Sequence, residues 1–253
     1  MEKLTALSQL DIAQHEWQLD VPGFGTAGQQ RLKAATVLVS RIGGLGGAVA
    51  WDLAAAGVGR LILAHAGHPK PSDFNRQTLM RYDRQKQNRA EQAAVRLREF
   101  KPNLEIIPVA ENISPANASE LVAAADLVVD CAPLFEERLA MNDAVWEHSR
   151  AMVECAMYEM QGSVTLLVPG RTACLRCLVP APPPHWRRRF PVFGSVASTI
   201  GSLAACEAIK YLSGVGTCLL GTQLQVDLRA MQFHKMAITP APDCSCCGGQ
   251  ACA

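Results

Sequence analysis

Short apolar runs alternate with longer stretches of helical periodicity along most of this chain. Residues 35–40 read as a buried strand, followed by the glycine-rich turn Arg41-Ile42-Gly43-Gly44-Leu45-Gly46-Gly47 and a helical pattern through Leu53, Ala56 and Val58. A second strand follows at residues 60–64, completing a strand–turn–helix–strand unit of the kind that builds parallel sheets. The alternation continues with a helix at 86–100, a strand at 104–109, a helix at 116–125 and a strand at 127–130. Further strands are expected at 152–157 and 163–168. The first 33 residues carry an amphipathic helical pattern interrupted by Pro22, Gly23 and Gly25. After Gly170 the character changes: a Pro-rich, basic loop spans 180–191, a small-residue helix spans 195–212, and strands at 224–228 and 233–238 close the pattern. These elements predict an α/β fold, a doubly wound, mostly parallel, Rossmann-like sheet, with no repeat at a fixed period.

Composition narrows the function. A chain of 253 residues buries a sizeable core without disulfides. Lys+Arg 24 against Asp+Glu 23 excludes the broad positive field of a non-specific nucleic-acid binder. An aromatic content of 6% disfavours stacking platforms for single strands, and 49% hydrophobic with 19% charged residues argues against disorder. The N-terminus lacks the pattern of a signal peptide, and apolar runs are broken by Gly, Arg or Asp before they reach spanning length. The expectation is a cytoplasmic protein without membrane or nucleic-acid partners. In such a reducing setting, the ten cysteines point to metal before disulfides.

Four of the ten form two Cys-x-x-Cys knuckles, Cys174 with Cys177 and Cys244 with Cys247. Two thiolates at this spacing hold one ion from a single turn, and two turns complete a closed tetrahedral site with no position left for water. We expect structural Zn2+ stapling the C-terminal part (174–253, with its crossover loop) onto a single domain covering 1–253, whose N-terminal segment (1–33) is helical. Ordinary buried cysteines or a redox pair are the alternative. Cys246 is a competing ligand, whereas Cys131, Cys155, Cys206, Cys218 and Cys252 lie outside the pattern.

A glycine turn between a strand and a helix presents backbone N–H groups suited to phosphate. Taken with Gly25-x-x-Gly28-Gln29, Gly57-Val58-Gly59, Asn75-Arg76-Gln77, Val128-Val129-Asp130-Cys131 with Arg138 and Asn142, both cysteine pairs and the 200–210 segment, the chain resembles the ThiF/MoeB/HesA family, bacterial relatives of ubiquitin-activating enzymes. The resemblance spans nearly the whole chain. It implies a homodimer that uses ATP-Mg2+ to adenylylate the C-terminal Gly-Gly of a small ubiquitin-like sulfur-carrier protein. Carried over residue by residue, it implies catalytic roles for Arg76, Arg89 and Asp130. It implies cofactor-binding roles for Gly43, Gly44, Gly46, His65, Asn75 and Gln77.

Several positions depart from the family's pattern. The first loop glycine falls on Arg41, whose side chain would crowd a nucleotide or cap an empty pocket. The ribose-binding Asp falls on His65, an Asn on Asp73, the catalytic Lys on Arg89, and the Mg2+-positioning Asp on Pro133. The Arg that reaches across the dimer falls on Trp17. The loop cysteine has no counterpart, since Arg187-Arg188-Arg189 occupies that stretch. Departures cluster on catalytic positions, while zinc and packing positions survive. The expectation is a member that has lost or reworked adenylylation. The alternative to an enzyme is a pseudoenzyme that binds a carrier, a nucleotide or an active paralogue. A dehydrogenase-like use of the glycine turn is a weak third reading, because Arg41 breaks the fingerprint and no acid ends the second strand. Residues 185–190 interleave aromatics with arginines, which suits either a carrier-binding loop or a solvated one.

Overall fold

The computed structural model describes residues 4–183 and 191–248. Its centre is an eight-stranded sheet in the order β3-β2-β1-β4-β5-β6-β7-β8. The strands are β1 (Thr36–Ser40), β2 (Arg60–Ala64), β3 (Glu105–Val109), β4 (Leu127–Asp130), β5 (Ala151–Tyr158), β6 (Gln161–Leu167), β7 (Thr222–Asp227) and β8 (Gln232–Ala237). From β3 to β5 every pairing is parallel. From β5 to β8 every pairing is antiparallel.

Side chains on the parallel strands alternate between two cores, as a pleat buried on both faces requires. Val37, Val39, Leu61, Leu63, Leu127, Val129 and Val153 enter one core. Leu38, Ile62, Val128 and Met152 enter the other. Helices α3 (Gly25–Ala34), α4 (Gly44–Ala56), α5 (Arg89–Phe100) and α9 (Gly194–Ser213) cover the first face. Helices α6 (Ala118–Ala123), α7 (Phe135–Glu147) and α8 (Leu175–Leu178) cover the second. Two short helices, α1 (Gln9–Gln14) and α2 (Glu16–Leu19), form the N-terminal segment, and Ser8 caps the first by accepting from the Asp11 N–H at 3.1 Å. Helix α4 ends on Gly57 at φ +84°, a left-handed position that suits glycine.

The strands fall close to where the sequence places them, and β2 and β4 coincide with the expected spans. One point differs. Helix α7 was not anticipated, because its inward face carries buried Glu137, Arg138 and Asn142 among its apolar residues, which dilutes the periodicity. Within the C-terminal part, β7 and β8 extend the main sheet and α9 packs on α4. Only the segment after β8 is an appendage. Among the described residues, no helix is long and apolar enough to cross a membrane.

Candidate functional site

The C-terminal ends of the parallel strands carry most of the candidate residues, the edge where open α/β sheets bind ligands. β1 delivers the chain into the glycine turn, and Gly43 stands as N-cap of α4. A Cβ on Gly46 would lie 2.5 Å from the Arg41 carbonyl oxygen, so no other residue fits there. Across the turn stand Asn75, Arg76 and Gln77. A Cβ on Gly44 would meet Arg76 Cγ at 3.0 Å, and one on Gly43 would meet Gln77 Nε2 at 3.6 Å. The turn and the Asn-Arg-Gln segment therefore face each other.

Asp73 organises the cations. Its buried carboxylate accepts from Arg89 Nη2 at 2.8 Å, Arg76 Nη2 at 3.1 Å and the Lys70 N–H at 2.9 Å. Burial works against the charge, but the Lys70 N–H and the Arg89 guanidinium outweigh it and hold the carboxyl below its ordinary value. Arg89 also donates to Gln77 Oε1 at 3.2 Å and to the Ala66 carbonyl at 3.1 Å. Arg76 donates to the Ser72 carbonyl at 2.9 Å and to Asn75 Oδ1 at 2.7 Å. Asn75 in turn donates to the Val192 carbonyl at 3.4 Å, which ties the segment to the chain leading into α9.

His65 lies next to this cluster, buried at the end of β2. Burial, then the Arg89 and Arg41 charges, push its pKa down to about 3, so the imidazole is neutral at physiological pH. Its Nδ1 has no hydrogen-bond partner among the described residues.

Arg41 adopts φ +54°, where a glycine would rest without strain. Its guanidinium turns to α7 and makes a two-pronged ion pair with Glu137, with Nε to Oε2 at 2.6 Å and Nη2 to Oε1. The two side chains are 7% and 9% exposed. The crowding expected from Arg41 thus takes the form of a buried, neutralised pair.

Asp130 joins a different network. Its oxygens accept from the Ala132 N–H at 2.9 Å and from Arg138 Nε at 2.9 Å, and Arg138 also pairs with Glu154 on β5. Burial and the Asp130 charge raise the Glu154 pKa despite Arg138, and its Oε2 is unpartnered among the described residues. The structure therefore gathers Gly43, Gly44, Gly46, Asn75, Arg76, Gln77, Arg89 and His65 around one end of α4, while the carboxylate of Asp130 is engaged by α7. Neither Glu137 nor Glu154 was singled out from sequence. The visible signal was an acid inside the apolar run of β5. Trp17 stands on α2, 88% exposed. The arginine stretch 187–189 and Cys252 lie outside the described residues.

Among the described residues no helix covers the second face of the sheet beyond β5, and a groove of about 520 Å³ there is lined by Arg138, Tyr158, Gln161, Gln225 and His234 among others.

The cysteine knuckles meet as their spacing predicts. Cys174, Cys177, Cys244 and Cys247 place their sulfurs within 4.8 Å of one another, close enough to hold a metal ion. The shortest approaches are 3.4 Å for Cys174–Cys244 and for Cys177–Cys247, and 3.7 Å for Cys174–Cys177. Four ligands about 2.3 Å from a tetrahedral ion stand about 3.8 Å apart, so the cradle needs only a small expansion. Cys246 is set aside from the group, its sulfur accepting from Asn142 Nδ2 at 3.3 Å. Burial raises the Cys174 thiol. At Cys244 burial acts the same way, but the backbone N–H groups of Cys247 and Cys246 outweigh it and bring the thiol down to about 7.

A doubly wound sheet with a glycine turn, paired arginines at its edge and a four-cysteine cluster defines a class of nucleotide-binding α/β proteins. Within it, the chain belongs to the ThiF family, whose model matches residues 15–247. It is 40% identical over 245 residues to protein HesA of Leptolyngbya boryana, covering 97% of this chain and 88% of that protein. It is 36% identical to the adenylyltransferase and sulfurtransferase MOCS3 of Drosophila sechellia, covering 97% of this chain and 55% of MOCS3. In fold it resembles E. coli MccB, with a TM-score of 0.84 at 21% identity over 98% of this chain and 74% of MccB.

Proposed function

We propose that this chain activates the C-terminal carboxylate of a small ubiquitin-like carrier protein with ATP-Mg2+, through a site altered from the family's pattern. The observation that carries the reading is the glycine turn at the start of α4 with Arg76 and Arg89 converging on it. In adenylylation a carboxylate attacks an α-phosphorus and pyrophosphate leaves. Every reactant is anionic, so fixed cations and N–H groups must offset the repulsion and the charge that develops. Arg76 and Arg89 supply those cations while Asp73 holds them in place. Incoming phosphates would compete with Asp73 for them. His65 offers a neutral ring nitrogen at the position the resemblance gives to ribose binding. The open groove beside Arg138 has room for an extended carrier tail. The name of the MOCS3 relatives supports an adenylyltransferase reading.

A second reading, a binding module without adenylylation, is favoured by the Arg41–Glu137 pair and by Pro133. The pair fills space beside the glycine turn, and proline offers no metal-positioning oxygen. Calorimetric titration with ATP-Mg2+, followed by pyrophosphate exchange with candidate carriers, separates the two. Carrier-dependent exchange is the expected result. Nucleotide or carrier binding without exchange would establish the second reading, and no binding of either would overturn the first and leave of the second only binding to an active paralogue. We further propose that the protein is a cytoplasmic homodimer, that the ion in the cysteine cluster is Zn2+, and that its part is structural, as four thiolates leave no open coordination position.

A further inference from the structure

Two cysteines outside the metal cluster meet where the end of β4 lies beside the middle of β5. On the paired strands β4 and β5, Asp130 stands opposite Glu154. The next residues along each chain are Cys131 and Cys155. Neighbouring strands run about 4.7–4.9 Å apart, inside the Cα separation of about 4.4–6.8 Å that a disulfide bridges. The two sulfurs are 3.7 Å apart. Closing that gap to a bond of about 2.0 Å asks for side-chain rotation with the strands left in register.

The two thiols are not equivalent. Cys131 is partly exposed, whereas Cys155 is buried and donates to the Asp130 carbonyl at 3.1 Å. An open thiol meets an oxidant first, and an enclosed neighbour resolves the product. Burial, the Cys131 neighbour and the Glu154 and Asp130 charges all raise the Cys155 thiol, which leaves Cys131 as the group that meets the oxidant.

We propose that Cys131 and Cys155 are a reversible oxidation site, closed to a disulfide by hydroperoxides and reopened by thiols. In the first step the Cys131 thiolate attacks the distal oxygen of hydrogen peroxide, giving a sulfenic acid and releasing hydroxide. In the second, the Cys155 sulfur attacks the Cys131 sulfur, a water molecule leaves with the Cys155 proton, and the S–S bond forms. Two thiols lose two electrons and one peroxide gains them. A thiol reductant reverses the change by exchange. The bond would tie the end of β4 to the middle of β5, and Arg138, which donates to the Cys155 carbonyl at 2.9 Å, is the residue that links this spot to the groove it lines. The proposal stands whether or not the chain adenylylates a carrier.

The test uses the full chain with its metal in place and hydrogen peroxide as the probe. After acid quench, the protein is alkylated under denaturing conditions, digested without reductant and analysed by mass spectrometry. The expected result is a Cys131–Cys155 cross-linked peptide pair that grows with peroxide dose and disappears with dithiothreitol. Both cysteines alkylated after peroxide would overturn the proposal. So would Cys131 driven to sulfinic acid beside an alkylated Cys155, or Cys131 cross-linked elsewhere. In Cys155→Ser, Cys131 should accumulate as a sulfenic acid trapped by dimedone, and no adduct there would equally sink the idea.

Discussion

His65 is the residue through which acid should reach the site. Its folded pKa of about 3 lies well below the ordinary 6.5, so between those values the unfolded chain binds the extra proton. Stability from the neutral ring is therefore complete above pH 6.5 and falls as pH drops toward 3. Asp73 works in the same direction at lower pH, since a depressed carboxyl loses its contribution as pH falls below 3.8. Between pH 6 and pH 4.5 His15, also lowered by burial, adds to the fall, while Glu154, whose carboxyl is raised by burial, opposes it, so the His65 contribution is read as the difference between a His65 variant and the unaltered protein. Replacing His65 by Gln, which keeps polar atoms but does not titrate, should flatten the fall in denaturation midpoint across that interval. At neutral pH the exchange should cost about 1–2 kcal/mol for imperfect packing. A stability–pH slope identical to that of the unaltered protein would show that the ring is not buried neutral.

At the scale of elements, Arg41 and Glu137 fasten the loop after β1 to α7 across 96 residues of sequence. Removing either partner of a buried pair leaves a charge without compensation, so Glu137→Gln and Arg41→Gly should each destabilise by about 3–5 kcal/mol. The glycine substitution also relieves the left-handed backbone, which returns about 1 kcal/mol. The double change Arg41→Gly with Glu137→Gln removes both charges together, so it should cost clearly less than the sum of the two single losses. Urea unfolding of the four proteins gives the coupling energy, and strictly additive losses would deny that the pair acts as a unit. The same pair marks the boundary of what the sequence made legible. The parallel strands were readable because burial on both faces produces unbroken apolar runs, as in residues 36–40. The turn glycines and the cysteine knuckles were readable because local spacing carries their function. Helix α7 was not, because tertiary partners satisfy the charges on its inner face: Arg41 for Glu137, Asp130 and Glu154 for Arg138. From sequence, Asp73 is only a departure from an Asn in the family's pattern. Only the fold reveals it as the residue that holds both site arginines.

For the whole molecule, the cysteine cluster decides how the end of the chain is held. It joins a knuckle at the start of α8 to one 70 residues later, after β8. The intervening α9, β7 and β8 already belong to the central layers, so the cluster does not build the sheet. It anchors the segment after β8, and Asn142 of α7 reinforces it by accepting from the Leu175 N–H at 2.7 Å. Metal removal should therefore act locally. Protein purified without chelator should contain about one zinc per chain, as a single tetrahedral four-cysteine site requires. Stripping it with a strong chelator at neutral pH should speed amide hydrogen exchange in residues 239–248 and around α8, because binding energy for the ion is also ordering energy for its ligands. Exchange in β1, β2 and β4 should be unchanged, since their burial on both faces owes nothing to the tail. Cys244→Ser should reproduce the pattern without chelator. Unaltered exchange in the tail after the metal has gone would mean that packing alone fixes it, and global loss of protection would mean that the cluster supports the sheet after all.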